Sequence, residues 1–305
     1  VSARAGIRTV RTATAAALLL LASGLLLACA ACRDANGTAP RRTPPATAKV
    51  LTTTSAVHSW AADLLDGVER PVLLFDQTLT SSEPGLSPAQ IRLVESAAVL
   101  IALGGESDQF ARQRFAELNP EGALAVAYPN LAGAGWVWLD VRQAVVGVQA
   151  LAAELRALFP GQTSRIAQNE ERLVRRLEAT DREVERRLAP VAGHGVFLQD
   201  GRLKPFAERY GLTVRDVISR RPGMAPTPEE LTDFQNKVRR LGRGVVLAGT
   251  QPGRDVLGVE RNGVRPVLVL VDPVLSGYVG PGHFERQLER NALIVAAVLL
   301  GGAGS

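Results

Sequence analysis

Histidine and cysteine, the side chains that most often grip transition metals, are nearly missing from this 305-residue chain, which has three histidines (His58, His194, His283) and two cysteines (Cys29, Cys32). The cysteines lie three apart near one end, where a disulfide would close too small a loop to add stability. Neither a disulfide framework nor a thiolate metal site is therefore built into the fold. Lysine is scarce as well, three against 32 arginines, a bias of the kind that genomic base composition produces rather than phosphate recognition. No His-Glu-x-x-His or Gly-x-Ser-x-Gly motif occurs, and the Gly-rich LGGESD at 103–108 lacks the Gly-Lys-Ser/Thr ending of a phosphate loop. CAAC at 29–32 has Cys-x-x-Cys spacing but falls at a secretion boundary rather than on a folded helix. These absences argue against hydrolytic, nucleotide-binding and dithiol chemistry. The chain reads as a binding protein, not an enzyme.

Residues 1–28 hold Arg4, Arg8 and Arg11, no acid, and an apolar run, AAALLLLASGLLLA, that ends on small residues. This is the layout of a secretory signal peptide, and the run is shorter than the roughly 20 residues that span a bilayer. Leu26-Leu27-Ala28-Cys29 has the spacing of a bacterial lipobox, which predicts an extracytoplasmic protein anchored to the cell membrane through lipidated Cys29. An ordinary cleaved signal with two incidental cysteines is the plainer alternative. Losing the three arginines reduces the net charge from +5 to +2, so nucleic-acid binding is not indicated. Residues 29–47 are Pro-, Thr- and Ala-rich without apolar periodicity, as a flexible tether is.

From Lys49 onward short apolar runs alternate with helical patterns: KVLTTT, PVLLF, VLIALG and ALAVAY, then, after a long amphipathic stretch, HGVFLQ, TVRDVIS, GVVLAG and RPVLVLVD. Strands separated by helices indicate parallel sheets. The predicted fold is α/β, with an N-terminal lobe at 48–160, a connecting helix at 161–189 and a C-terminal lobe at 190–305. The helix, apolar at Ile166, Leu173, Val174, Leu177, Val184 and Leu188, would run roughly 40 Å. Ligands of parallel sheets collect at the carboxyl ends of strands, which places a ligand cleft between the lobes. Trp136 and Trp138 flank Val137, and in an extended loop both would face one way.

The residues that carry this pattern also resemble a known family. SAVHSWAADLLDGV, LSPAQIRLVESAAVLIALGGESDQF, VWLD at 137–140, AERYGLTV at 207–214, PTPEELTDFQNKVRRLG, VLVDPVLSGY and the closing FERQLERNALIVAAVL are similar, in order and spacing, to the zinc/manganese-type solute-binding proteins of bacterial ABC importers. The resemblance implies a monomer that captures a metal ion between its lobes and passes it to an ABC permease. It also implies ligands from two N-terminal histidines, a histidine or glutamate opening the C-terminal lobe, and a late aspartate. Here those positions read Ser82, Trp136, Asp200 (Gln199 if shifted by one) and Asp272, and the family's histidine-rich loop is absent. A hydroxyl is a weak zinc ligand and an indole is none. His58 and Glu83, with Asp200 and Asp272, make an alternative set of one nitrogen and three oxygens, which favours manganese over zinc. His194 is read as structural, and His283, at the start of the last helix, as a surface or helix-start packing residue. If Trp136 projects into the cleft, an organic ligand or metal chelate becomes a further alternative, as does a non-transporting interaction component of a surface complex.

Overall fold

The computed structural model describes residues 50–75, 85–106, 108–131, 135–241, 244–249, 266–273 and 280–301. The leader and tether, Cys29, Ser82 and Glu83 lie outside these residues. The first lobe runs β1 (Val50–Thr52), α1 (Ser55–Leu64), β2 (Val72–Leu73), α2 (Pro88–Ser96), β3 (Val99–Ala102), α3 (Gln109–Leu118), β4 (Ala123–Val126) and α4 (Val141–Leu158). A 26-residue helix, α5 (Thr163–Leu188), follows. The second lobe runs β5 (Gly195–Asp200), α6 (Lys204–Arg209), β6 (Thr213–Ser219), α7 (Pro228–Leu241), β7 (Val245–Ala248), β8 (Val267–Leu270) and α8 (His283–Gly301). Both sheets are parallel and share one topology, β2-β1-β3-β4 and β6-β5-β7-β8. The expected fold, two α/β lobes with one long helix between them, is present.

Local chemistry starts the helices. Ser87 and Gln90 form a reciprocal capping box ahead of α2. Thr227 accepts from the Glu230 amide at 3.2 Å while the Glu230 carboxylate accepts from the Thr227 amide at 2.8 Å, with Pro228 opening α7. Side-chain alternation along the strands then sorts the core. Val50, Val99 and Ile101 point into one large apolar cluster with α1, α4, α5 and α8, while Leu51 and Leu100 point the other way toward Val94 and Phe115. The second lobe repeats this division, with Val196, Leu198 and Leu247 in the shared cluster and Phe197 and Val246 packed against Phe234 and Val238. Each sheet is thus covered on both faces, as parallel sheets require. The inner faces of both lobes close on the same helices.

Helix α5 is more than a spacer. Its buried positions, Ile166, Asn169, Leu173, Leu177, Thr180, Val184 and Leu188, recur every three or four residues. Asn169 Nδ2 donates to the Leu64 and Asp66 carbonyls at 2.9 Å each, satisfying the exposed end of α1. Two arginines then clasp the lobes. Arg176 of α5 reaches Asp63 of α1 at 2.6 Å and Glu285 of α8 at 3.0 Å, joining both lobes through one guanidinium. Arg209 of α6 bonds Asp181 of α5 and lies 3.6 Å from Asp140, the residue that caps α4. Ser59 and Asp63 of α1 also receive the Phe284 and Gly282 amides at 3.3 and 3.4 Å, so α1 caps the start of α8. Trp60 meets Phe284 edge-on at 5.1 Å beside them.

Removing one partner from a buried ion pair costs about 3–5 kcal/mol. Because the Arg176 side chain is 43% exposed, Arg176→Ala is expected to lose about 2 kcal/mol and about 4–8 °C of melting temperature. Arg175→Ala, which breaks the exposed pair with Glu171, is expected to cost under about 0.5 kcal/mol. Equal urea midpoints for the two variants would contradict the clasp.

Candidate functional site at the facing strand ends

In each sheet the strand order reverses next to the first strand, between β1 and β3 and between β5 and β7. Ligands of open α/β sheets sit in the crevice at the carboxyl ends of such strands. In the second lobe this crevice is filled from the first. Trp136, 3% exposed, precedes a 3₁₀ turn at Val137–Leu139 and not the extended loop expected. The turn aims the two indoles at different partners. Trp138 Nε1 donates to the Pro273 carbonyl at 2.8 Å beyond β8. The Trp136 ring lies over the end of β7, where a Cβ on Gly249 would come within 2.1 Å of it. Glycine is needed at 249 for that approach.

Arg202 completes the arrangement. Asp200, 3% exposed, ends β5 and caps the following 3₁₀ turn by accepting from the Arg202 amide at 2.9 Å. Its carboxylate also takes the Arg202 side chain as a fork, with Nη2 at 2.7 Å from Oδ2 and Nε at 3.0 Å from Oδ1. The Gly223 amide adds a longer contact at 3.4 Å. The guanidinium carbon stands 4.3 Å above the Trp136 ring, and the Trp136 amide donates to the Arg202 carbonyl at 3.0 Å. Asp200, Arg202, Trp136 and Gly249 therefore form one stack across the lobes.

The corresponding edge of the first lobe is held by Asp108. It is fully buried and accepts from Thr53 Oγ1 at 2.9 Å, the Leu103 amide at 2.5 Å, the Gly104 amide at 3.2 Å and Arg112 Nε at 3.1 Å. Gly104, at φ +103°, makes this turn possible, since a Cβ there would meet the Tyr128 carbonyl oxygen at 2.3 Å. Burial pushes the Asp108 carboxyl up, against the hydrogen bonds and Arg112 that lower it. His58 lies in the first turns of α1, where Nδ1 is 2.7 Å from Thr52 Oγ1. Burial, with the charge of Arg70, lowers its pKa to about 4, so its ring is neutral at ordinary pH. Asp272 follows β8, and its amide and carbonyl are clamped by the Asn291 side chain at 2.9 and 2.8 Å. His283 opens α8, buried, with Nε2 lacking a hydrogen-bond partner among the described residues. Burial lowers its pKa, and the neighbouring charge of Asp272 opposes that shift.

With this geometry in hand, the chain can be set beside known proteins. The profile of the family described as ZnuA, zinc-uptake complex component A, periplasmic, matches residues 50–259. The chain belongs to this family. No curated protein matches the sequence. Among solved structures, the solute-binding protein FpvC of Pseudomonas aeruginosa in complex with Mn²⁺ aligns with a TM-score of 0.72 at 21% identity, covering 84% of this chain and 99% of that one. The AdcAII protein of Streptococcus pneumoniae aligns at 0.68 with 17% identity, over 82% and 98%. The laminin-binding protein Lbp of Streptococcus pyogenes aligns at 0.68 with 14% identity, over 84% and 100%. At such identities these likenesses establish the fold. Members of the zinc-uptake family are extracytoplasmic metal-binding components of ABC importers and bind without catalysing, so the chain is a binding protein.

Among the described residues no three His, Cys, Asp or Glu side chains gather closely enough to hold a metal ion, so His58, Asp200 and Asp272 do not form such a group. Both Asp200 oxygens are engaged by Arg202. A cation about 5 Å from that guanidinium is repelled by roughly 3 kcal/mol per unit charge at an effective dielectric of about 20. Arg202 was not anticipated from the sequence, although an Asp-Gly-Arg run directly after a strand is a capping signal that brings the Arg back onto the Asp. Gly249 and the Arg176 clasp left no local trace, because their partners lie more than a hundred residues away in the chain.

The lowered pKa of His58 has a defined consequence. The unfolded ring takes a proton near its ordinary value of about 6.5, while the folded ring resists until about 4. Stability contributed by neutral His58 is thus complete above about pH 6.5 and lost as pH falls toward 4, by at most about 3 kcal/mol and less for a ring partly exposed. Denaturation across this range is expected to flatten in His58→Gln, and proton NMR should find one of the three imidazoles titrating near 4. A His58 midpoint near 6.5 would show that the ring is not buried against Thr52.

Proposed function

We propose that the protein is the extracytoplasmic solute-binding component of a metal-type ABC importer, tethered through lipidated Cys29 and working as a monomer with a membrane permease. In this reading its zinc/manganese site is degenerate. The observation that carries the reading is the stack of Trp136 on Arg202 and Asp200 at the strand ends, in a chain of the zinc-uptake family. Trp136 and Ser82 stand where the resemblance expects histidine ligands. His58 is engaged by Thr52 and Asp200 by Arg202, which withdraws two members of the expected ligand set. Zn²⁺ and Mn²⁺ then bind weakly or not at all.

Titration of the purified protein with each ion tests this. A ligand present at about 100 times its Kd stabilises by about 2.7 kcal/mol, several degrees of melting temperature. The expected result is no such shift and no stoichiometric heat with either ion; tight binding of either would remove the degenerate site from the proposal. For the anchor, Cys29→Ser is expected to move the protein from the membrane to the soluble fraction. A wild-type protein already soluble would refute the lipid tether.

The filled crevice also favours a second reading, a non-transporting interaction component of a surface complex. Cross-linking on intact cells separates the two. An ABC permease among the captured partners supports transport, and its consistent absence supports the second reading.

A further inference from the structure

We propose that the amino terminus of α1, at the carboxyl end of β1, is an oxyanion-binding site that takes a phosphate, a sulfate or the carboxylate of an organic ligand. The site goes beyond the metal-site reading above and does not depend on it. Helix α1 begins where the first sheet reverses its strand order, between β1 and β3, the place where parallel α/β sheets meet anionic ligands. It begins without a cap. Thr54 has the extended backbone of a capping residue, φ −132° and ψ 162°, yet its hydroxyl accepts from no amide of the helix, and no acidic residue sits in the first turn. The amides of Ser55, Ala56 and Val57 precede the first bond of the helix, from the His58 amide to the Thr54 carbonyl at 2.9 Å, and have no acceptor among the described residues.

A second observation calls for an occupant. Thr54 Oγ1 and Ser55 Oγ are both buried without a hydrogen-bond partner among the described residues, in side chains 4% and 0% exposed. Hydroxyls enclosed in this way have given up water for nothing, unless an ion or a bound group completes them. Both are aimed at the helix end. Thr54 is the N-cap itself, and the Cα–Cβ bond of Ser55, at the first helical position, tilts toward the amino terminus as every such bond in a helix does. Two hydroxyls and three amides thus converge as donors, where the helix dipole adds the equivalent of about half a positive charge. The surrounding charges agree with an anion. Arg70 sets a positive charge against His58, one turn along α1, and Asp108, across the β1–β3 edge, is already engaged by Thr53, two amides and Arg112.

Thr54→Val combined with Ser55→Ala removes both hydroxyls with little change of volume. Wild type and double variant, passed over a chelating resin so that no anion acts through bound metal, are melted in millimolar phosphate, sulfate or acetate against chloride at equal ionic strength. The wild type is expected to gain about 3 °C in at least one of the three anions, with calorimetric binding, and the variant to lose that gain. General salting of the folded state raises both proteins alike and so cancels in the comparison. A gain in acetate assigns the carboxylate of an organic ligand, and a gain confined to phosphate or sulfate assigns a tetrahedral ion; either supports the site. An empty helix end predicts otherwise: deleting unpartnered buried hydroxyls stabilises the chain, and no anion separates the two proteins. That result, or an equal gain in both, overturns the site and leaves the Zn²⁺ and Mn²⁺ titrations untouched. If the double variant does not fold, Ser55→Ala alone carries the same test.

Discussion

Charges that neither lobe could bury alone are neutralised at two points along α5, by Arg176 between Asp63 and Glu285 and by Arg209 among Asp181 and Asp140. Each guanidinium answers carboxylates from different parts of the chain, so separating the lobes would leave acids in a low-dielectric interface without a counter-charge. The apolar cluster shared by β1, β3, β5 and β7 closes around the same helix. Ionic and hydrophobic constraints thus agree on one relative placement of the sheets. The facing strand ends inherit that placement.

Where the lobes meet on the strand-end side, an indole, a guanidinium and a carboxylate pack against one another. Trp136 presents an aromatic face and Arg202 a positive charge to it. Together with Asp200 they are mutually satisfied: carboxylate to fork, fork to ring, ring to Gly249. Trp138, one turn away, holds the Pro273 carbonyl beside Asp272. The segment 135–140 therefore serves as a strap between lobes, built from side chains that stack and donate rather than coordinate.

The fold was legible because it depends on patterns repeated along the chain. Alternating apolar residues in runs such as VLIA and VVLA mark buried strands, and capping signals such as Ser87-Pro88 and Thr227-Pro228 mark helix starts. The family motifs are likewise linear. The site was legible in part: Trp136, Asp200 and Asp272 were singled out by position, but Val137–Leu139 form a 3₁₀ turn and the two indoles meet different partners. His283, expected at the surface or packed at a helix start, is buried beside the charge of Asp272. Nothing in the local sequence around either residue signals that proximity.

By itself, then, the sequence determined the two α/β lobes, the long helix and the scarcity of imidazole and thiolate, since hydrophobic period and residue type are properties of short stretches. The tertiary structure decided which charges meet. Arg176 with Glu285, and Trp136 with Gly249, are brought together over more than a hundred residues by packing on α5, and a contact at that range has no periodicity from which to read it. The partner of Asp200 was decided the same way: the turn after β5 folds Arg202 back onto it, and the first lobe lays Trp136 across the pair.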